Sequence, residues 1–255
     1  MIRFALVIIA MSLLVGCSSS DQVPDKTFNP TISDPAYEAG TGPVVCLDEA
    51  HNNFHTLDNR FWAFGELLRR DGYVMQASGE KFSAAVLERC SILVISNAQL
   101  VSGDWGEYPF PTPSAFTDAE IEAVRAWVDE GGALLLIADH MPLAGAASGL
   151  ALAFGVQFNN GFAVAGFEGE ENRGAAFAKP TIFSIETQNL IQTPITAGRN
   201  ANESVTSIRS FTGQAFQAPE SAQPLLVLPQ DFVSLMPEKA WEFGSDTKAI
   251  PVGGW

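Results

Sequence analysis

Two short stretches of the chain end an apolar run in acids and histidines. LLLIADHMP runs into Asp139 and His140, and DEAHNNFH places Asp48 and His51 after another apolar run. An imidazole beside carboxylates can act as a general acid or base, or it can bind a metal. These four residues are therefore candidate catalytic residues. Their spacing matches no familiar metal motif, so the metal and any cofactor stay unassigned, and a structural role for the acids and histidines is the alternative.

Other side chains near the same strand ends are candidate ligand contacts. They are Glu49, Ser96, Asn97, Trp105 and Tyr108. The two aromatic residues belong to the loop 97–116, which is long for a connection in an α/β protein, and long loops often carry function. Their rings could stack on a sugar or a peptide, or they could pack on their own domain.

Apolar strands alternate with helical segments through the middle of the chain. PVVCLDEA, SILVISNA and ALLLIADH are nearly continuous apolar runs, which is typical of buried parallel strands. TDAE is a capping box in which Thr117 begins a helix. The alternation predicts an α/β fold with a doubly wound, mostly parallel sheet of the flavodoxin-like three-layer type. In that strand order the carboxyl ends of strands one, three and four face one crevice, where ligands bind.

The alternation weakens beyond Asn159. Residues 156–158 are predicted to begin a fifth strand, and the Gly-rich residues 161–180 are predicted to form loops. Residues 203–216 and 223–232 are predicted as later strands, antiparallel at an edge of the sheet.

The N-terminus has the pattern of an exported lipoprotein. Residues 1–16 read as a signal peptide with one positive charge and a short apolar core, and Leu-Val-Gly before Cys17 resembles a bacterial lipobox. Residues 17–42 are rich in Ser, Pro, Asp and Thr, which predicts a flexible tether to a domain over 43–255. We expect membrane attachment through a lipid on Cys17. Because Ser18 and not aspartate follows, the outer membrane facing the periplasm is favoured.

Charge and cysteine content limit the possible partners. The formal net charge is −15, which would repel a polyphosphate, so nucleic acid is excluded as a partner. Beyond Cys17 the chain has Cys46 and Cys90. Two buried free thiols are expected there. A disulfide, which an oxidising compartment would allow, is the alternative if the neighbouring strands have the right register.

Three stretches resemble the class I glutamine amidotransferase-like superfamily. EGGALLLIADHMPLAGAASGLALAFGV resembles the superfamily's order of a strand, a nucleophile elbow and a helix that begins in small residues. FTDAEIEAVRAWVDEGGALLLIA is similar to the branch of gliding-motility and intraflagellar-transport proteins and of bacterial envelope proteins, and TPITAGRNANESV is similar to a later segment of such domains. The resemblance implies a nucleophilic cysteine near Asp139 or His140, where this chain has none. It also implies a downstream histidine, which is absent after His140. Glutamine hydrolysis by a Cys–His–Glu triad is thereby excluded. Because related domains continue past PVGGW, a C-terminally truncated domain is an open alternative.

Two functions follow from these patterns. The first is an envelope lipoprotein whose amidotransferase-like domain lacks the catalytic triad and acts as a binding or scaffolding module for a carbohydrate, a peptide or an envelope protein. The alternative is a hydrolase, with or without a metal, that uses Asp48, His51, Asp139 and His140 at the carboxyl edge of the parallel sheet. Ser148 is no nucleophile candidate, because GAASG does not make a Gly-x-Ser-x-Gly turn and falls within a predicted helix.

Overall fold

A computed structural model of the chain describes residues 22–169, 171, 176–177 and 180–252. The strands are β1 Val44–Asp48, β2 Val74–Ser78, β3 Ile92–Ser96, β4 Ala133–Ile137, β5 Gln157–Phe158, β6 Phe162–Ala165, β7 Thr181–Ser184, β8 Ser207–Ser210, β9 Phe216–Gln217, β10 Phe232–Met236 and β11 Lys248–Pro251. The α-helices are α1 Trp62–Arg70, α2 Ala84–Leu87, α3 Asp118–Asp129, α4 Leu143–Ala153 and α5 Pro194–Ala197, and a short 3₁₀ helix spans Trp105–Glu107. The predicted signal peptide 1–16 and the predicted lipidation site Cys17 lie outside the described residues.

The main sheet has four parallel strands in the order β2-β1-β3-β4. The predicted α/β fold is confirmed, and strands one, three and four are neighbours as expected. One face of the sheet packs against α2, α3 and α4 through a cluster that contains Leu93, Ile95 and Leu150. The other face packs against α1 through Val45 and Val94. Helices on both faces allow the central strands to be apolar throughout.

Helix starts follow the capping signals in the sequence. The Thr117 side chain accepts the backbone N–H of Glu120, and the Glu120 side chain accepts the backbone N–H of Thr117, so the predicted capping box is present at α3. Ser83 caps α2 through the N–H of Val86. α1 begins at Trp62 without a side-chain cap.

The chain beyond Asn159 departs from the prediction. β5 does not join the parallel sheet but pairs with β9 in an antiparallel pair. Within the predicted loop 161–180, β6 is a strand that pairs with β10, and β10 pairs with β11. β7 and β8 form another antiparallel pair. The sequence did not reveal β6 because Gly161 and Gly166 flank a run of only four strand residues.

Part of the segment predicted as a tether contacts the domain. The N–H of Tyr37 donates to the carbonyl of Asp71, and the rings of Tyr37 and Tyr73 meet edge to face at 5.1 Å. Gly72 has φ +93°, and a side chain at this position would collide with the backbone of Tyr37. Arg199 donates to the carbonyl of Asp34 at 2.6 Å. Residues 34–42 therefore lie against the domain.

Cys46 and Cys90 form a disulfide, so the expectation of two free thiols is wrong. Cys46 is a buried residue of β1, and Cys90 lies in the turn between α2 and β3. The two Cα atoms are 5.7 Å apart, within the usual range for a disulfide. The bond forms because β1 and β3 are adjacent, with Cys46 opposite Leu93 in the register.

Along the residues that the structure describes, none of the helices is both long and apolar enough to span a bilayer.

Removal of the disulfide should destabilise the domain substantially. The bond closes a loop between residues separated by 44 positions, so it restricts the unfolded chain, and we expect a Cys46→Ala, Cys90→Ala double variant to lose about 2–4 kcal/mol of unfolding free energy. Urea unfolding followed by circular dichroism measures the loss. Dithiothreitol should lower the unfolding free energy of the wild type by a similar amount and leave that of the double variant unchanged. Equal midpoints for the oxidised and reduced wild type would contradict the bond's stabilising role.

Candidate functional site

A buried cluster of three ionisable side chains lies at the end of β1. Nδ1 of His51 is 2.9 Å from each carboxylate oxygen of Asp48, and Nε2 of His51 is 2.9 Å from Oε1 of Glu120. Asp48 and His51 are fully buried. The ring of His51 also packs against Phe82 and Phe116, with centroids 4.6 and 4.7 Å away. Both ring nitrogens are therefore occupied by protein groups, and no water-facing side remains for a substrate.

Acceptor groups surround the His51 ring. The carboxylate of Asp48 also accepts the N–H of Ala50 and the side-chain amide of Asn53. Both nitrogens of His51 face carboxylate oxygens, so the histidine lies between two buried acidic side chains.

Glu120 is the residue of this cluster that sequence reasoning missed. The capping box at α3 is a sufficient local reason for a glutamate at this position. Its contact with His51, which is 69 positions away in the sequence, cannot be read from the local pattern. Burial raises the pKa of Glu120, but hydrogen bonds from Thr117 and His51 outweigh burial and lower that pKa to about 2. Oε1 also accepts the N–H of Phe82 at 3.3 Å. Glu120 therefore connects α3, the end of β1 and the loop before α2.

A second pair of side chains lies at the end of β3. Nδ1 of His55 is 2.8 Å from the hydroxyl oxygen of Ser96, and the His55 ring stacks on Phe61 with centroids 4.4 Å apart. Burial is the main cause that lowers the pKa of His55 to about 4, although Asp139 opposes the effect. His55 is therefore neutral at pH 7. A serine beside a neutral histidine has the chemistry of a nucleophile and its base, but Ser96 is completely buried.

Asn97 connects the ends of β3 and β4. Its side-chain oxygen accepts the N–H of Asp139 at 2.9 Å, and its amide donates to the Asp139 carboxylate at 3.2 Å. Asn97 has φ +51°, a conformation that asparagine tolerates better than most residues. The predicted closeness of the two strand ends is present, and it serves a hydrogen-bonded link between them.

His140 lies in a cluster of aromatic rings. It stacks on Phe162 at 4.5 Å and meets Trp105 and Trp241 edge to face. Its Nδ1 is 2.7 Å from the carbonyl oxygen of Met141, so the neutral ring donates from Nδ1. Burial lowers the pKa of His140, and the Met141 carbonyl and Asp139 oppose that shift. His140 is neither beside His51 in its carboxylate cluster nor bonded to the Ser96 pair.

The remaining predicted ligand contacts bind the protein itself. Glu49 accepts the N–H of Leu57 at 2.8 Å. The indole N–H of Trp105 donates to Gln99, and the hydroxyl of the buried Tyr108 accepts the N–H of Leu100. Trp105 and Tyr108 thus follow the alternative in which they pack on their own domain. Within the described part of the chain, no group of three or more His, Cys, Asp and Glu side chains is arranged to hold a metal ion.

An apolar cavity lies elsewhere, along the free edge of β4. It has a volume of about 560 Å³, within the usual range for ligand sites. Its walls come from α3, β4, α4 and the β5–β9 pair. They are Val128, Leu134, Leu136, Ile137, Ala138, Ala151, Phe154, Val156, Phe158, Gly213, Gln214 and Phe216. We call this cavity the edge groove. No residue of the predicted site lines it.

The charge cluster should make stability depend on acid pH through Glu120. Because the pKa of Glu120 is about 2 in the folded chain against an ordinary value of 4.5, its ionised form favours folding. That stabilisation is complete above about pH 4.5 and is lost as the pH falls towards 2. We expect Glu120→Gln to lose about 1–3 kcal/mol of unfolding free energy at pH 7. The difference from wild type should shrink between pH 4.5 and 2 in urea titrations.

Glu122→Gln is the matched control, because Glu122 is an exposed residue of the same helix. It should leave both the stability and its pH dependence near the wild-type values. A Glu120→Gln penalty that stays constant down to pH 2 would contradict the assigned hydrogen bonds.

Comparison with known proteins supports the fold. The chain is similar to the solved structure of the mmIFT52 N-terminal domain, with a TM-score of 0.51 and 13% sequence identity over 82% of this chain and 86% of that one. No family model and no curated protein matches the sequence. At this identity the similarity establishes a shared α/β fold and carries no family membership or activity with it.

Proposed function

We propose that the chain is a lipid-anchored envelope protein whose α/β domain is a catalytically degenerate relative of the glutamine amidotransferases and acts as a binding or scaffolding module. The observation that carries this proposal is that the ionisable side chains at the strand ends are bonded to the protein itself. Both ring nitrogens of His51 are bonded to carboxylates, Asp139 is bonded to Asn97, and His140 is enclosed by aromatic rings. A catalytic group needs a free atom directed at a substrate.

The position after β4 supports the same conclusion. Amidotransferase-like domains keep their nucleophile there, and this chain has Asp139 and His140. Neither side chain is a nucleophile of the required kind, and the backbone N–H of Asp139 donates to Asn97 instead of facing solvent. The fold is therefore available for binding without the inherited chemistry.

An oxidising location is supported by the disulfide. Structural disulfides persist in the periplasm and outside the cell and are rare in the cytosol. The Cys46–Cys90 bond is consistent with export by the predicted signal peptide. The proposed anchor is the lipidated Cys17, and the partner is proposed to be another component of the envelope.

A hydrolase is the second candidate, and one contact favours it. The 2.8 Å distance between Ser96 and Nδ1 of the neutral His55 is suitable for deprotonation of the serine. This pair differs from the residues that the sequence suggested for a hydrolase. Since Ser96 is completely buried, catalysis would require the loop around His55 to open.

Reaction with a fluorophosphonate probe distinguishes the two candidates. The binding module should not be labelled, because its serine is covered, and the full chain should release no ammonia from glutamine. Ser96→Ala and Ser148→Ala form a matched pair, since Ser148 lies on α4 and bonds to the carbonyl of Gly145. Labelling of the wild type that disappears in Ser96→Ala but persists in Ser148→Ala would replace the binding proposal by the hydrolase.

The anchor is tested by metabolic labelling with an alkyne fatty acid in a bacterial host. The wild type should incorporate the label and sediment with membranes, and Cys17→Ser should lose both properties. Incorporation that survives Cys17→Ser would remove the proposed lipid anchor.

A further inference from the structure

We propose that the edge groove binds an extended segment of a partner protein, which adds to the free edge of β4 as a fifth strand and carries basic residues at its ends. This inference rests on the proposed binding role and names the kind of partner. It does not depend on any catalysis by the side chains at the strand ends.

The backbone of β4 has one bonded side and one open side. Among the described residues, β4 pairs with β3 alone. The N–H of Ala133 donates to Ser91, and the carbonyl of Ile137 accepts the N–H of Asn97. Because successive residues of a strand direct their backbone groups to opposite sides, the odd-numbered residues bond to β3. Leu134 and Leu136 therefore present their N–H and carbonyl groups to the edge groove.

The groove can accommodate a strand beside these groups. Leu134 and Leu136 form one wall, and Phe158 and Phe216 of the β5–β9 pair belong to the lining as well. At the carboxyl end, the side-chain amide of Gln214 donates to the carbonyl of Ala138 at 3.3 Å. The carbonyl of Ala138 therefore accepts a hydrogen bond from a donor outside the sheet. A partner strand would make the same kind of hydrogen bond along β4.

β4 also lacks the features that usually keep an edge strand from pairing. Its sequence, ALLLI, contains no charge and no proline, which are the common protections of a sheet edge. Leu135 lies on the face that α1 covers over the central strands, yet it is 44% exposed. An apolar edge that is open along its backbone and on one face is typical of a surface that a partner covers.

The alternating donors and acceptors identify the occupant as a polypeptide. A lipid chain or another apolar molecule could fill the volume, but it would leave the N–H groups of Leu134 and Leu136 without partners. A second copy is disfavoured because each copy carries a net charge of −15. Carboxylates flank the strand, with Glu130 before β4 and Asp139 after it. A third carboxylate near the start of β4, that of Asp129, forms an ion pair with Arg125, with Nε 3.6 Å from Oδ2. The charge therefore favours a strand with basic ends.

The test uses the full chain and a synthetic peptide of about seven residues, which spans the edge at roughly 3.3 Å per residue. The peptide alternates valine and threonine between terminal lysines and is capped at both ends. Two derivatives carry backbone N-methyl groups, one on every valine and the other on every threonine. Successive N–H groups of a strand point to opposite sides, so only one derivative loses the hydrogen bonds to β4. That derivative should bind about tenfold more weakly or worse in fluorescence anisotropy, and the other should bind like the parent.

Amide hydrogen exchange gives the matching readout on the protein. The bound parent peptide should slow exchange at Leu134 and Leu136, and exchange at Leu135, whose N–H faces β3, should not change. Peptides with terminal glutamates in place of the lysines should bind more weakly than the parent. This difference should diminish as the salt concentration rises.

Two phenylalanine variants control for the site. Phe216→Ala removes a groove side chain and should weaken binding, whereas Phe211→Ala removes a side chain that is also exposed but does not line the groove. Equal loss of affinity in both variants would overturn the location.

Several outcomes overturn the proposal itself. The first is that the parent peptide does not bind, and the second is that the two methylated derivatives bind equally well. The third is that palmitate displaces an apolar fluorescent dye from the edge groove, while the peptide gives no exchange protection at Leu134. A dimer of the free chain in sedimentation velocity that Leu135→Lys dissociates would assign the edge to a second copy. None of these outcomes depends on labelling of Ser96, so failure of this inference is distinguishable from failure of the proposed binding role.

Discussion

The buried charge cluster of Asp48, His51 and Glu120 is the interaction on which the carboxyl edge of the sheet depends. It joins the end of β1 to α3 and, through the N–H of Phe82, to the loop that precedes α2. Ionisable groups removed from water are costly unless each is paired, and here each nitrogen of the His51 ring faces a carboxylate. Movement of any member would cost hydrogen bonds between buried polar groups. The cluster therefore stabilises the observed arrangement of the loops that surround it.

The cluster shows how aspartate and histidine at strand ends can have a structural role in place of a catalytic one. Aspartate and histidine at the end of a parallel strand are typical of catalysis, and they are equally suited to joining one strand end to its neighbour. Asn97 and Asp139 do so across β3 and β4, and His140 fills a space among aromatic rings. The chemistry of a side chain becomes available only when some of its hydrogen-bonding atoms are left free. Among the described residues, the backbone groups on the open side of β4 are one place where such atoms are available.

The sequence predicted the parallel sheet, its strand order and the capping box, because each depends on local periodicity or on short-range hydrogen bonds. It predicted the location of the polar strand ends, since topology brings β1, β3 and β4 together. It could not predict the partner of His51, because Glu120 already had a complete local explanation. Nor could it predict the open edge, since an unpaired strand is a property of the whole sheet. β6 was missed for a similar reason: its pairing with β10 spans a long stretch of chain without any periodic signal.

The disulfide between Cys46 and Cys90 makes the stability of the domain depend on the redox conditions around it. Domains of this size are stable by only about 5–15 kcal/mol, so a bond that contributes a few kcal/mol is a sizeable share of the total. In a reducing solution the same sequence has a shallower free-energy minimum than in an oxidising one. The redox potential around the protein thereby sets how much free energy separates the folded form, which can bind a partner, from the unfolded chain.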